Sequence, residues 1–233
     1  MKWPKLSRER ELALVAAILG AACVLAFAPD AFLPMLARAF VRWWAMAFAA
    51  VAVLAVWRRA RWVAMAGAAA AALAWPQASV PVLQAEAAYG PPGLRVAHLN
   101  VLQPNMHFAE AVRSIIASDA DLVSVQEVGP EWAMALRAGL RERYPHQLVV
   151  PRNNCYGIAL FSRRPLRRAE PIEVAGTTFI EAEVEVDGRT VRVYAVHANS
   201  PGSYGHYRRR NAQLAELGRR ARGSEHPVLL IGD

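Results

Sequence analysis

After Lys5 the chain contains no lysine; every later basic residue is an arginine, and alanine is abundant. That pattern is a compositional bias and carries no functional reading. Cysteine is nearly absent. Cys23 lies inside an apolar run and Cys155 in the second half of the chain. Two cysteines so placed exclude a disulfide framework, and Cys155 has no obvious base beside it to make it a nucleophile. Charge is scarce at one end. Residues 1–93 hold 9 basic and 4 acidic side chains, whereas residues 94–233 hold 18 and 15. The net charge of +8 is therefore weighted to the apolar end, and the later part makes no strong case for a nucleic-acid stripe.

What fills the first part is apolar. Leu12–Ala28, Trp43–Trp57 (extended by 39–42) and Trp62–Trp75 are uncharged runs. A membrane-crossing helix needs about 20 such residues. The first run fits, the second fits if Arg42 snorkels, and the third is short and alanine-rich. Trp43, Trp44, Trp57, Trp62 and Trp75 stand near the run ends, as an interfacial aromatic belt requires. A cleaved signal peptide ending at Ala26-Phe27-Ala28 is the competing reading, and the two further runs weigh against it. About three transmembrane helices are expected within 1–75. Lys2, Lys5, Arg8 and Arg10 precede the first, and Arg58, Arg59 and Arg61 separate the second from the third. The positive-inside rule then puts the N-terminus in the cytoplasm and everything after three crossings outside. Residues 76–93, rich in Pro, Ala and Gly, read as a linker.

Residues 94–233 pattern as an α/β sandwich of mixed sheets covered by helices. Strands are expected at 94–101, 121–128, "HQLVV", "YGIALFS" and the closing "PVLLIGD". Helical spacing links Phe108, Val112 and Ile115/Ile116, then Trp132, Leu136 and Leu140 behind Pro130. A further helix is expected from about 207 to 222, with Leu214 and Leu217 inward. Asp187-Gly188 between two alternating runs signals a two-residue hairpin. That turn pairs Val184 with Val191, Ala182 with Val193, Ile180 with Ala195 and Glu183 with Arg192.

Several polar residues cluster at strand ends: Asn100 and Asn105, Glu127, His197 and Asn199, and Asp233. Singly each has a plain structural reading as a turn residue or a solvated face. Together they supply carboxylates, carboxamides and an imidazole, the groups that phosphodiester hydrolysis uses to hold a cation, position water and aid a leaving oxygen.

That ordered set resembles the endonuclease/exonuclease/phosphatase superfamily, the DNase-like metal-dependent phosphoesterases. The matching stretches are "HLNVLQPN" (98–105), "SDADLVSVQEV" (118–128), "YGIALFSRRPL" (156–166), "YAVHANSP" (194–201), "RRNAQLAEL" (209–217) and "PVLLIGD" (227–233). The resemblance spans about 94–233 and implies a DNase-like four-layer α/β sandwich. It implies that Glu127 and Asn100 bind Mg²⁺ (or Mn²⁺), that His197 contacts the scissile phosphate, and that Asp233 positions or activates the attacking water. Asn199 joins the catalytic set, and Asn105 and Tyr156 line the site. The family's Gly-Asp-x-Asn motif stops at Asp233, so a C-terminally truncated, inactive domain is expected. The membrane part resembles a bacterial branch, a multi-pass protein of the inner membrane with an extracytoplasmic catalytic domain. The expected partners are the lipid bilayer and a phosphoester substrate, either nucleic acid or a phospholipid headgroup; no protein partner is expected. The competing class is a non-catalytic membrane-tethered binding module or pseudoenzyme fragment.

Overall fold

A computed structural model describes residues 7–78 and 93–233. The chain divides into two compact units, Met1–Ala87 and Ala88–Asp233. Most of the linker expected at 76–93 lies outside the described residues.

The first unit is helical: α1 Arg8–Phe27, α2 Phe32–Ala39, α3 Val41–Trp57 and α4 Arg61–Ala78. Ser7 caps α1 by accepting from the Arg10 amide, with Glu9 and Glu11 in the positive first turn. Pro29 follows the end of α1, and Arg38 satisfies the freed carbonyls of Leu25 and Ala28. Glu11 accepts from the Trp62 amide at the start of α4. The interior is dominated by alanine: Ala22, Ala45, Ala55, Ala60, Ala64, Ala66, Ala70 and Ala74 are buried beside Ile18, Leu25, Phe48 and Val63. The large apolar side chains face outward; Phe27, Leu33, Trp43, Val53, Val56 and Trp57 are each about 70% exposed. Among the described residues one helix, Arg8–Phe27, is long and apolar enough to cross a membrane. α2 and α3 together make a second candidate, bent by 66°. The third segment expected to span, within α4, does not reach that standard, because Arg61, Pro76 and Gln77 fall inside its 18 residues and lower the mean hydropathy.

The second unit contains two four-stranded sheets. The first combines β1 Val96–Asn100, β2 Leu122–Gln126, β3 His146–Val150 and β4 Ile158–Ser162 in the order β1-β2-β4-β3. The second combines β5 Leu166–Val174, β6 Thr177–Val186, β7 Arg189–Val196 and β8 Val228–Gly232 in chain order. Both sheets are mixed: β1–β2 and β7–β8 run parallel and the other pairs antiparallel. Two helices, α5 Phe108–Ala117 and α6 Pro130–Leu140, cover the outer face of the first sheet around Val123, Val125, Ala159, Phe161 and Trp132. Leu122, Ile158 and Leu160 meet Ile180, Ala182, Val184, Val193 and Ala195 between the sheets. On the far face, α7 Tyr204–Arg222 packs Leu217 against Val174, Phe179 and Tyr194. The result is a four-layer α/β sandwich, α5/α6 on one outside and α7 on the other. The central strands β2 and β4 are buried throughout because both faces of their sheet are covered.

The hairpin register is the one that the alternating pattern predicts: Val184↔Val191, Ala182↔Val193, Ile180↔Ala195 and Glu183↔Arg192. Asp187 and Gly188 both take positive φ, as a type I′ turn needs. Strand β5 is the element that the sequence pattern leaves unassigned. It is an edge strand carrying Arg167, Arg168, Glu170, Pro171 and Glu173, with a register shift between Arg167 and Glu170. An edge tolerates proline and charge, which erase the alternation a strand otherwise shows. The other departure is Leu214, expected inward but 52% exposed. Gln213 and Leu217, one turn apart, set the buried face, and Leu214 is turned from Gln213 by about 100° to its flank.

Glu183 is nearly buried, and the guanidinium of Arg192 opposite it, at 3.0 Å, holds its carboxyl below the usual glutamate range. A depressed folded-state pKa contributes stability that is complete above the unfolded value and lost as pH falls through the folded one. Glu183→Gln is accordingly expected to lose about 1 kcal/mol at neutral pH and less under acid conditions. Urea denaturation of the two proteins between about pH 7 and pH 3 measures that convergence.

Candidate active site

The two parallel strand pairs determine what meets what. In a parallel pair both strands deliver their carboxyl ends to the same edge, where ligands collect in open α/β sheets. β1 and β2 place Asn100 opposite Gln126, so Asn100 and Glu127 leave the first sheet side by side. β7 and β8 place Val196 opposite Gly232, so His197 and Asp233 leave the second sheet side by side. The Asp233 amide donates to the Val196 carbonyl, and the Ala198 amide donates to the Asp233 carbonyl, bracketing His197. Gly232 has φ near +148°, and a Cβ there would lie 1.8 Å from the Val196 oxygen. Only glycine lets β8 approach β7 closely enough to deliver Asp233.

Across the sheets, Asn100 joins two carboxylates. Its Nδ2 donates to Glu127 Oε1 at 2.9 Å and to Asp233 Oδ2 at 3.1 Å. Its Oδ1 accepts from the Leu102 amide, and Glu127 Oε2 accepts from the Gln103 amide. The loop after β1 thus orients both side chains. Glu127 has a φ of 63°, the left-handed region that a non-glycine residue occupies at a cost of about 1 kcal/mol or more. Close packing holds it there. The next residue, Val128, exchanges backbone hydrogen bonds with Gly157 and Arg152, and a Cβ on Gly157 would stand 2.0 Å from the Val128 oxygen.

A second cluster lies on the strand-end loops. Asn199 is buried; its Nδ2 donates to the Tyr156 hydroxyl at 2.6 Å. Its Oδ1 accepts from Gln213 Nε2 at 2.7 Å and from Thr177 Oγ1 at 3.1 Å. The Tyr156 and His197 rings are 5.7 Å apart. His197 is only 9% exposed, and its Nδ1 is a buried atom with no hydrogen-bond partner. Burial raises the Tyr156 phenol above its ordinary pKa, so it stays protonated at neutral pH. Asn105 is used locally: its Nδ2 donates to the Val101 carbonyl and its Oδ1 accepts from the His107 amide.

The structure therefore brings Asn100, Glu127 and Asp233 into one hydrogen-bonded set, links Asn199 to Tyr156, and sets His197 against Tyr156. It does not bond Asn105 to any of them. Sequence reasoning passed over Gln213 and Thr177. The available signal was helical: Gln213 stands one turn before Leu217 and so shares its buried face.

Whether these residues suit a divalent cation is a question of donor chemistry. Among the described residues no group of three or more His, Cys, Asp or Glu is arranged to hold a metal. Mg²⁺ asks for less: one or two carboxylates, oxygen donors and retained waters. Glu127 and Asp233 meet at one amide, and the Asn100 carbonyl oxygen has a second lone pair beyond the one that Leu102 uses. This hard-oxygen set with two negative charges fits such an ion.

Comparison with known proteins agrees with the architecture. No curated protein matches the sequence. Among solved structures, humanized TDP2 of D. rerio is similar with a TM-score of 0.52 at 19% identity, covering 60% of this chain and 65% of that one. Truncated Caenorhabditis elegans TDP2 is similar with a TM-score of 0.51 at 16% identity, covering 60% and 61%. Sphingomyelinase C from Streptomyces griseocarneus gives 0.49 at 23%, covering 60% and 63%. For the two TDP2 structures the likeness at these identities is one of fold, and this chain spans less than two thirds of each of the three structures. Residues 97–233 match the family model of the Endonuclease/Exonuclease/phosphatase family, whose members are hydrolases of phosphoesters that generally use divalent metals such as Mg²⁺. With its two mixed sheets and more than half its length within that match, the chain belongs to the Endonuclease/Exonuclease/phosphatase family.

Proposed function

We propose that the chain is a membrane-anchored, divalent-metal-dependent hydrolase of phosphoesters, acting on a nucleic acid or a phospholipid headgroup. The observation that carries the reading is the Asn100 carboxamide bridging Glu127 and Asp233 where two parallel strand pairs end. Glu127 and Asn100 would hold the cation, which when bound supplies positive charge against the phosphoryl oxygens. Asp233, exposed and anchored by backbone bonds to β7, orients a water and accepts its proton. His197, kept at the same edge by its neighbours' bonds to Asp233, faces the phosphate. Asn199 is held by Gln213 and Thr177 with its amide toward Tyr156.

Anchoring is supported by the inverted packing of the first unit. Small residues fill the interior and large apolar ones face outward, the arrangement that suits helices surrounded by lipid. In water the same outward-facing Phe, Leu, Val and Trp side chains would be an exposed apolar surface. The basic residues favour Arg8 and Arg10 and the Arg58–Arg61 turn on the cytoplasmic side. We take α4 as a third crossing despite its lower hydropathy, since Trp62 and Trp75 stand near its ends as an interfacial belt requires; with α1 and the bent α2–α3 pair, that puts the catalytic domain outside the cytoplasm of a bacterial inner membrane.

Two experiments test these parts separately. The full-length protein, with the part of the domain that the resemblance places after Asp233, should hydrolyse bis(p-nitrophenyl) phosphate in detergent with Mg²⁺ and lose that activity in EDTA. Glu127→Ala should cut kcat by roughly 100-fold or more and abolish the rise in melting temperature that saturating Mg²⁺ gives the parent. An unchanged rate in that variant rules out the role given to Glu127. For topology, alkaline phosphatase fused after residue 93 should be active and a cytoplasm-dependent reporter inactive; the reverse pattern would overturn the outside placement.

A further inference from the structure

The hydrogen bonds around Asn199 have a defined polarity, and it starts from a backbone group that can only donate. The Asn199 amide N–H donates to Gln213 Oε1 at 2.9 Å. That fixes which end of the Gln213 carboxamide is oxygen, so its Nε2 must be the atom facing Asn199 and Thr177. Facing a donor, the Asn199 side chain presents its oxygen, and Thr177 Oγ1 donates to the same oxygen. The Asn199 Nδ2 is therefore turned to Tyr156, and the phenolic oxygen accepts from it at 2.6 Å. Gln213 and Asn199 are both buried, so this chain cannot be rearranged by water at little cost.

A phenol that accepts from a fixed amide keeps its own proton for another partner. The groups near Tyr156 are His197, whose ring lies 5.7 Å away, the exposed thiol of Cys155, a side-chain partner of the phenol but a weak acceptor that a phosphoryl oxygen outcompetes, and the Arg209 guanidinium, which has no lone pair to offer. We infer that Tyr156 is a catalytic residue that donates its hydroxyl proton in a hydrogen bond to a non-bridging phosphoryl oxygen, and that Gln213 and Thr177 are positioning residues that keep it a donor. The inference rests on the phosphoester reading above and adds to it a residue and a direction. A preset donor aimed at a developing oxyanion acts without reorganising during the reaction. The arrangement also joins the layers: Tyr156 enters β4 of one sheet, Thr177 starts β6 of the other, and Gln213 comes from α7.

The test uses the same full-length protein, with tyrosine labelled at Cζ for ¹³C NMR. Tyr156→Phe should lower kcat about 100-fold, the usual effect of losing one such donor. Gln213→Met keeps side-chain length and removes both hydrogen-bonding atoms; it should lower kcat by about tenfold with little change in KM. Adding Tyr156→Phe to it should leave the rate at that of Tyr156→Phe alone. Additive losses, or a Tyr156→Phe rate equal to the parent's, would overturn the assignment. If Gln213→Met fails to fold, Asn199→Asp replaces it, since a carboxylate facing the phenol captures its proton and should give the same non-additivity. The second readout needs no turnover. Inorganic phosphate with Mg²⁺ should shift the Tyr156 Cζ resonance in the parent and not in Gln213→Met or Asn199→Asp. A parent with that shift but no hydrolysis of any phosphoester refutes the proposed function and leaves the donor assignment standing. A parent that hydrolyses phosphoesters without the shift refutes the donor assignment alone.

Discussion

Parallel pairing of one strand pair in each sheet is the constraint on which the rest of the site depends. Two carboxyl ends emerge together from β1 and β2, and two from β7 and β8. The sheets then stack through Leu122, Ile158, Leu160, Ile180, Ala182 and Val193, so the two edges lie over one another. Nothing local makes Asn100 and Asp233 neighbours; they are 133 residues apart and meet at 3.1 Å because both sheets end there. Burial between the sheets thus stabilises the domain and assembles its polar edge in a single arrangement. Shifting either parallel register by one residue would turn the apolar side chains away from the core.

The polar edge is held in place at some conformational cost. Glu127 keeps a positive φ, and Gly157 and Gly232 sit where no Cβ would fit. Backbone strain at a strand end is tolerated only where the surroundings over-determine it, and here amides of Leu102 and Gln103 and the Val128–Gly157 contact do so. The Asn199 cluster works by a different means. It is a set of carboxamide and hydroxyl groups anchored on a backbone N–H, whose fixed polarity leaves the Tyr156 phenol accepting from Asn199. One part of the site is positioned by strand geometry and the other by hydrogen-bond polarity.

The helical unit distributes its apolar residues differently. Alanine lines its interior and leucine, valine, phenylalanine and tryptophan its outside, the opposite of what the sandwich domain does with the same residue types. In the sandwich, large apolar side chains fill the interior between the layers. In the helices, small side chains allow close backbone approach, and large ones cover the exterior.

Much of this was legible in the residues themselves. The hairpin register followed from alternation around Asp187-Gly188, since a two-residue turn leaves one pairing that puts Ile180, Ala182, Val184, Val191, Val193 and Ala195 on one face. The buried face of α6 followed from Trp132, Leu136 and Leu140, and the strand-end positions of Asn100, Glu127, His197 and Asp233 from the apolar runs before them. Strand β5 was hidden because an edge tolerates the charges and proline that mask period two. The inward face of α7 was misjudged at Leu214, because a buried glutamine, Gln213, and not a leucine defines it. What only the tertiary structure decided is which polar ends touch. The bridge from Asn100 to two carboxylates and the direction of the Gln213–Asn199–Tyr156 bonds depend on how two sheets and a helix pack. Periodicity along one chain tells which way a side chain points, but it carries no information about the distance between residues brought together from different layers.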